Sequence, residues 1–116
     1  MKDFKKLIVW QKSFKLFLDI HVFTRKLPPE EKYELGSQLR RAAFSVPANI
    51  AEGGSKATNA HYKTFLETSL GSTYEIETAL LAVSELYPQF KNDVIGFIEI
   101  NSEIQKMLIS LINKLQ

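Results

Sequence analysis

Only two histidines, His21 and His61, and no cysteine are present to ligate a metal or activate a nucleophile. The di-iron centres of helical bundles use Glu-x-x-His pairs on two helices. Neither histidine has a glutamate three residues before it. His21 reads as a partly buried core or interface residue, and His61 as an exposed residue near a helix start. Serine chemistry is equally unsupported, since no Gly-x-Ser-x-Gly elbow occurs and the serines lie in helical segments without a histidine partner. The Arg-x4-6-His pair of RNase-like helical bundles is missing. Gly53-Gly54-Ser55-Lys56 is too short for a phosphate-binding loop. Glu75 and Glu77 point in different directions on a helix, so they make no acid and base pair. The chain therefore reads as a non-enzyme without cofactor or metal.

What remains is cationic surface. Arg40 and Arg41 adjoin in the second helical segment, while Lys5, Lys6, Lys12 and Lys15 lie on or before the first. All six are candidates for contacts to phosphate oxygens. The alternatives are solvated surface and salt bridges between subunits. Net charge is only +2, but up to Arg41 there are ten Lys or Arg against five Asp or Glu, and from Ala42 onward five against eight. Such asymmetry suits either a basic face or oppositely charged surfaces that meet on assembly.

These side chains need a scaffold, and the sequence indicates an all-α one. With 116 residues, 45% of them hydrophobic and 24% charged, the chain fits one domain with one core, spanning 1–116. The absence of cysteine favours a reducing compartment, and no apolar run approaches a signal-peptide core or the roughly 20 residues of a membrane span. A cytoplasmic, soluble protein is expected.

Four segments carry helical periodicity. In the first, Leu7 to Leu27, Trp10, Phe14, Phe17, His21 and Thr24 form one stripe, and Leu16, Ile20, Phe23 and Leu27 form a second beside it. Pro28-Pro29 ends it. The second runs from after Pro29 to Glu52, with Glu30 and Glu31 at its positive end. Pro47 inside it predicts a kink or break near Ala43 to Val46, and Gly53-Gly54 should end it with left-handed backbone angles. The third, Thr58 to Tyr87, has Thr58 or Asn59 as N-cap. Gly71-Ser72 in its middle should let a neighbouring helix approach closely. The fourth, Asp93 to Leu115, is capped by Asn92 or Asp93 and repeats Val94, Phe97, Asn101, Ile104, Leu108, Leu111 and Leu115. Short connections make consecutive helices antiparallel, giving an up-down-up-down four-helix bundle. The apolar surfaces of the first and last helices are wider than one partner face requires.

Several runs resemble one family: Val9-Trp10-Gln11-Lys12, Gln38-Leu39-Arg40-Arg41-Ala42-Ala43, Ser45-Val46-Pro47-Ala48-Asn49-Ile50-Ala51-Glu52-Gly53, and Gly71-Ser72 followed by Glu75 and Glu77. The chain is similar to the four-helix bundle proteins encoded in intervening sequences of bacterial 23S rRNA genes, the S23 ribosomal protein family. The resemblance implies a barrel-shaped homopentamer. It also implies kinship with the accessory variability proteins of diversity-generating retroelements, whose basic surfaces are thought to engage RNA or DNA and the reverse transcriptase. Within the matched motif, Trp10 is a core or interface anchor, with base stacking the alternative. Asn49 is expected to bond a neighbouring helix or the backbone loosened by Pro47, and Glu52 to cap or to pair across an interface. Pro47, Gly53 and Gly71 read as structural.

Overall fold

The computed structural model describes residues 3–115. Four long helices carry it: α1 (Ile8–Phe23), α3 (Leu35–Gly53), α4 (Asn59–Leu86) and α5 (Lys91–Lys114), with a one-turn helix α2 (Pro29–Lys32) between the first two. Single 3-10 turns precede α1, follow it and precede α5. No strand occurs among the described residues.

The long helices pack as a square in which α1 touches α3, α3 touches α4, α4 touches α5 and α5 returns to α1. Cross-helix contacts give their directions. Ser45 meets Ser72, and Gly53 lies against Tyr62 and Phe65, so numbers rise on α3 as they fall on α4. Phe17 packs on Phe44 while Arg40 bonds Thr24, and Lys12 pairs with Glu103 while Phe23 packs on Phe97. The turn Tyr87–Phe90 is too short for α5 to do anything but double back along α4. The bundle is therefore antiparallel and up-down-up-down. Its long dimension of 44 Å matches α4, whose 28 residues span about 42 Å at 1.5 Å per residue.

Burial selects one stripe per helix. Leu16, Ile20, Leu39, Ile50, Leu66, Leu80, Ile104 and Leu108 are buried and belong to one hydrophobic cluster. The second apolar stripe of α1 is this core; the aromatic stripe beside it stays at the bundle's edge. Asn101 sits inside the core, where its amide donates to the Thr73 carbonyl at 2.9 Å. That bond ties α5 to one height on α4, while Oδ1 has no protein partner, at a cost of about 1–3 kcal/mol.

The structure corrects several expectations at helix ends. The second segment is not one helix. It breaks at Glu34 (φ −101°, ψ −95°), and the Lys32 carbonyl at the end of α2 accepts from the Arg40 guanidinium at 3.0 Å. Pro47, in contrast, causes no break, and α3 runs through it. The bond that Pro47 forgoes is the one to the Ala43 carbonyl, while the two carbonyls just before the proline gain side-chain donors: Asn49 Nδ2 donates to the Ser45 carbonyl at 2.8 Å, and Ser69 Oγ to the Val46 carbonyl at 2.9 Å. Gly54 keeps right-handed angles (φ −64°, ψ −17°), and no described residue has positive φ. Gly53 is required for space instead, since a Cβ there would stand 2.7 Å from Phe65 Cβ. Gly71 is exposed, and a Cβ on it would meet nothing within 4 Å. The close approach falls to Ser72, whose hydroxyl donates to Ser45 Oγ at 2.8 Å. Thr58 is the N-cap of α4, accepting from the His61 N–H at 3.1 Å, but α5 starts at Lys91 without a side-chain cap.

One long-range bond closes the end of the bundle: the Tyr87 hydroxyl donates to Glu31 Oε2 at 2.8 Å. That hydrogen bond, then burial and the charges of Glu31 and Glu30, hold the phenol's pKa up at about 12, against an ordinary value of 10.0. A folded-state pKa above the unfolded one means that this tie contributes fully below pH 10.0 and is lost as pH rises through about 12. In ultraviolet titration Tyr87→Phe should remove one ionisation near pH 12 and weaken the fall in stability above pH 10.0; an unchanged titration curve would show that the tie does not form. The two glycines should also separate in urea unfolding. Gly53→Ala should cost about 1–3 kcal/mol by overpacking, whereas Gly71→Ala should gain about 0.5–1 kcal/mol of helix stability. Equal effects would contradict this packing.

Candidate nucleic-acid interface

The corner where α1 ends and the chain turns through α2 into α3 is built around Arg40. Pro28-Pro29 forbids α1 from continuing, so the chain reverses and brings α3 back alongside. Arg40, half-buried on α3, spans the gap with both arms of its fork. Nη1 donates to Thr24 Oγ1 at 3.0 Å and Nη2 to the Lys32 carbonyl at 3.0 Å. Thr24 is itself buried and donates to the His21 carbonyl at 2.7 Å. The planar fork suits this double bond, which an ammonium cannot reproduce.

The same turn gathers charge. His21, Thr24, Arg25, Lys32 and Arg40 line a cavity of about 140 Å³. No carboxylate lines it, and none of its three permanent cations makes a salt bridge among the described residues. It is far smaller than the roughly 300–1,000 Å³ typical of organic-ligand pockets, and its lining suits a small anion. His21 is exposed, which excludes the core half of the sequence reading.

From this corner an aromatic track runs back along the edge between α1 and α3. His21 meets Phe17 edge-on at 5.8 Å, Phe17 meets Phe44 at 5.3 Å, and Phe14 lies between Phe17 and Trp10. Trp10 stacks on Phe14 with centroids 4.9 Å apart and planes 9° from parallel, and Phe4 closes the row on the far side of Trp10 at 5.1 Å. The spacing 10, 14, 17, 21 puts these rings on one helix face. Two of its rings are open to solvent, Phe44 53% and Phe14 36% exposed, while Trp10 and Phe17 are half-buried against the core.

The six cations selected from sequence do not form one surface. Arg40 is at the corner. Lys5 and Lys6 are exposed at the opposite end of the track, in the turn before α1. Lys12 is bound to Glu103 at 2.8 Å on the α5 side, and Lys15 to Asp19 at 2.8 Å on the outer side. Arg41 faces a different groove, between α3 and α4, which it lines with Gln38, Ala42, Ser45 and Glu75. Glu77 accepts from Gln105 at 3.1 Å on α5 instead, and Glu52 is exposed. Sequence reasoning missed Arg25 and Lys32. Their signal was present: Arg25 follows His21 by four residues, and Lys32 lies just beyond the diproline that folds the chain back.

The fold and this edge define an antiparallel four-helix bundle protein with an aromatic and cationic seam. The chain belongs to the 23S rRNA-intervening sequence protein family, whose model matches residues 5–110. It is also similar to a crystal structure at 1.70 Å of a protein of unknown function, from the S23 ribosomal protein family of Bacteroides thetaiotaomicron VPI-5482. The TM-score is 0.84 at 23% identity, over 90% of this chain and 98% of that one. No curated protein matches. No helix among the described residues is long and apolar enough to cross a membrane.

Because Arg40 joins three segments, its loss should be felt in stability first. Arg40→Ala should lower the unfolding free energy by about 1–3 kcal/mol, the range for hydrogen bonds from a charged donor. Arg40→Lys should recover little of it. Chemical denaturation measures both, and an Arg40→Lys protein as stable as the parent would show that the fork is not used.

Proposed function

We propose that this chain is a non-catalytic, homo-oligomeric bundle that binds RNA or DNA through its basic corner. The observation that carries the reading is the small cavity at the end of α1, where His21, Arg25, Lys32 and Arg40 converge without a carboxylate. Like charges held together repel, and a phosphate relieves that repulsion while accepting hydrogen bonds from the guanidinium and ammonium groups. Membership of a family named for an rRNA gene insert is consistent with a nucleic-acid partner.

Self-association is supported by apolar patches on different sides of the bundle. Leu18 and Val22, 44% and 54% exposed, point outward from α1. Leu81 on α4 and Ile95 and Ile109 on α5 are also exposed, at 49%, 49% and 40%. Two different patches that meet head to tail make a ring when the rotation closes. The family resemblance gives five subunits for that ring. The second reading, a protein-interaction scaffold without nucleic acid, draws on the same patches.

Affinity for a labelled RNA or DNA fragment, measured against salt, separates the two. Arg25→Ala with Lys32→Ala should weaken binding about tenfold at low salt and make the slope of log K against log [salt] shallower by about 1.5. No binding of either nucleic acid at low salt would leave only the scaffold. Val22→Lys with Ile95→Lys should reduce the mass in solution to that of one chain, and an unchanged mass would remove these patches from the assembly.

A further inference from the structure

The corner and the aromatic track share an edge, and that juxtaposition narrows the kind of nucleic acid. We infer that the α1 and α3 edge is a single-strand binding track, with a phosphate seated among His21, Arg25, Lys32 and Arg40 and successive bases stacked on the exposed rings of Phe44 and Phe14, next to Trp10. The inference rests on the nucleic-acid reading above and adds to it the strandedness of the ligand and the chemistry that holds the bases.

Three observations carry it. The rings are exposed where a soluble bundle would ordinarily place polar side chains, with Phe44 at 53% and Phe14 at 36%. The track has cations at both ends: Arg25, Lys32 and Arg40 at one, and Lys5 and Lys6 at the other. Trp10 and His21 are eleven steps apart and so span about 16 Å of helix, a length for about four nucleotides, the lower end of single-strand site sizes. A backbone anchored by its phosphates at both ends brings the bases of a single strand down onto the rings, whereas paired bases have their faces covered by neighbouring pairs. Base on ring stacking is indifferent to sequence, since every base presents a π-face. A second copy of the chain is the competing occupant of these rings. The charge at both ends favours a polyanion over another bundle whose surface carries both signs.

Trp10 is the sole tryptophan and lies in the track, so its fluorescence reports the contact directly. The full chain is titrated with an unstructured oligouridine of eight nucleotides, oligothymidine of the same length, and a duplex of equal charge. Quenching of Trp10 is expected with both single strands, which should bind at least about tenfold more tightly than the duplex. Phe44→Ala and Phe14→Ala should each weaken single-strand binding about five- to tenfold, within the range for losing one stacked base, and should leave duplex binding and oligomer mass unchanged. Phe44→Trp, which keeps a ring, should restore affinity and thereby exclude a folding defect as the cause. Equal affinity for duplex and single strand, with Phe variants silent and Arg25→Ala still weakening binding, would overturn the track and leave the basic corner standing. Loss of oligomer mass in the Phe variants with no change in affinity would assign the rings to a second copy. Absence of binding to all three ligands would overturn the nucleic-acid reading as well.

Discussion

The fork of Arg40 is the constraint on which this end of the bundle depends. A diproline stops α1, a break at Glu34 separates α2 from α3, and the resulting corner has no continuous helix to hold its shape. Two hydrogen bonds from one guanidinium, to Thr24 Oγ1 and the Lys32 carbonyl, fix where α1 ends relative to where α3 begins. Those bonds consume part of the donor capacity of Arg40 but none of its charge. The same group that closes the corner therefore makes it electropositive, and Arg25 and Lys32 add charge that no salt bridge among the described residues offsets.

The bundle itself was legible because its signals are local and repeated. The stripes Leu16, Ile20, Phe23 and Val94, Asn101, Ile104, Leu108 are helical periods that the core then buries. The misreadings fall where one residue's preference was overruled by its neighbours. Pro47 reads as a breaker, yet α3 continues through it: the proline forgoes one backbone bond, to the Ala43 carbonyl, within a helix otherwise held by its packing. Gly53 and Gly71 carry opposite demands that their type cannot reveal: one faces Phe65 and admits no Cβ, the other faces open space.

The candidate interface was only half legible, for a physical reason. Arg40 and Arg41 adjoin in sequence, but successive helix positions turn by about 100°, so one enters the corner and the other the groove against α4. Charge counted along the chain could not mark Lys12 as paired, because its partner is Glu103 on the far helix, whereas the partner of Lys15 is Asp19, four residues on along α1. The aromatic stripe was visible as a second apolar face on the first helix. Only the packing of α1 against α3 decides that it lies at the surface, continued by Phe44, and not in the core.

The central claim is that phosphate is held at the Arg40 corner while bases lie along the aromatic edge. A crystal structure of the full chain with a short oligouridine tests it most directly. The account predicts a phosphate oxygen within hydrogen-bonding distance of Arg25 or Lys32, Arg40 still bonded to Thr24, and at least one base parallel to the ring of Phe44 or Phe14. Oligonucleotide seated in the groove of Arg41 and Glu75 instead, with the corner and the aromatic edge untouched or covered by a neighbouring subunit, would contradict it.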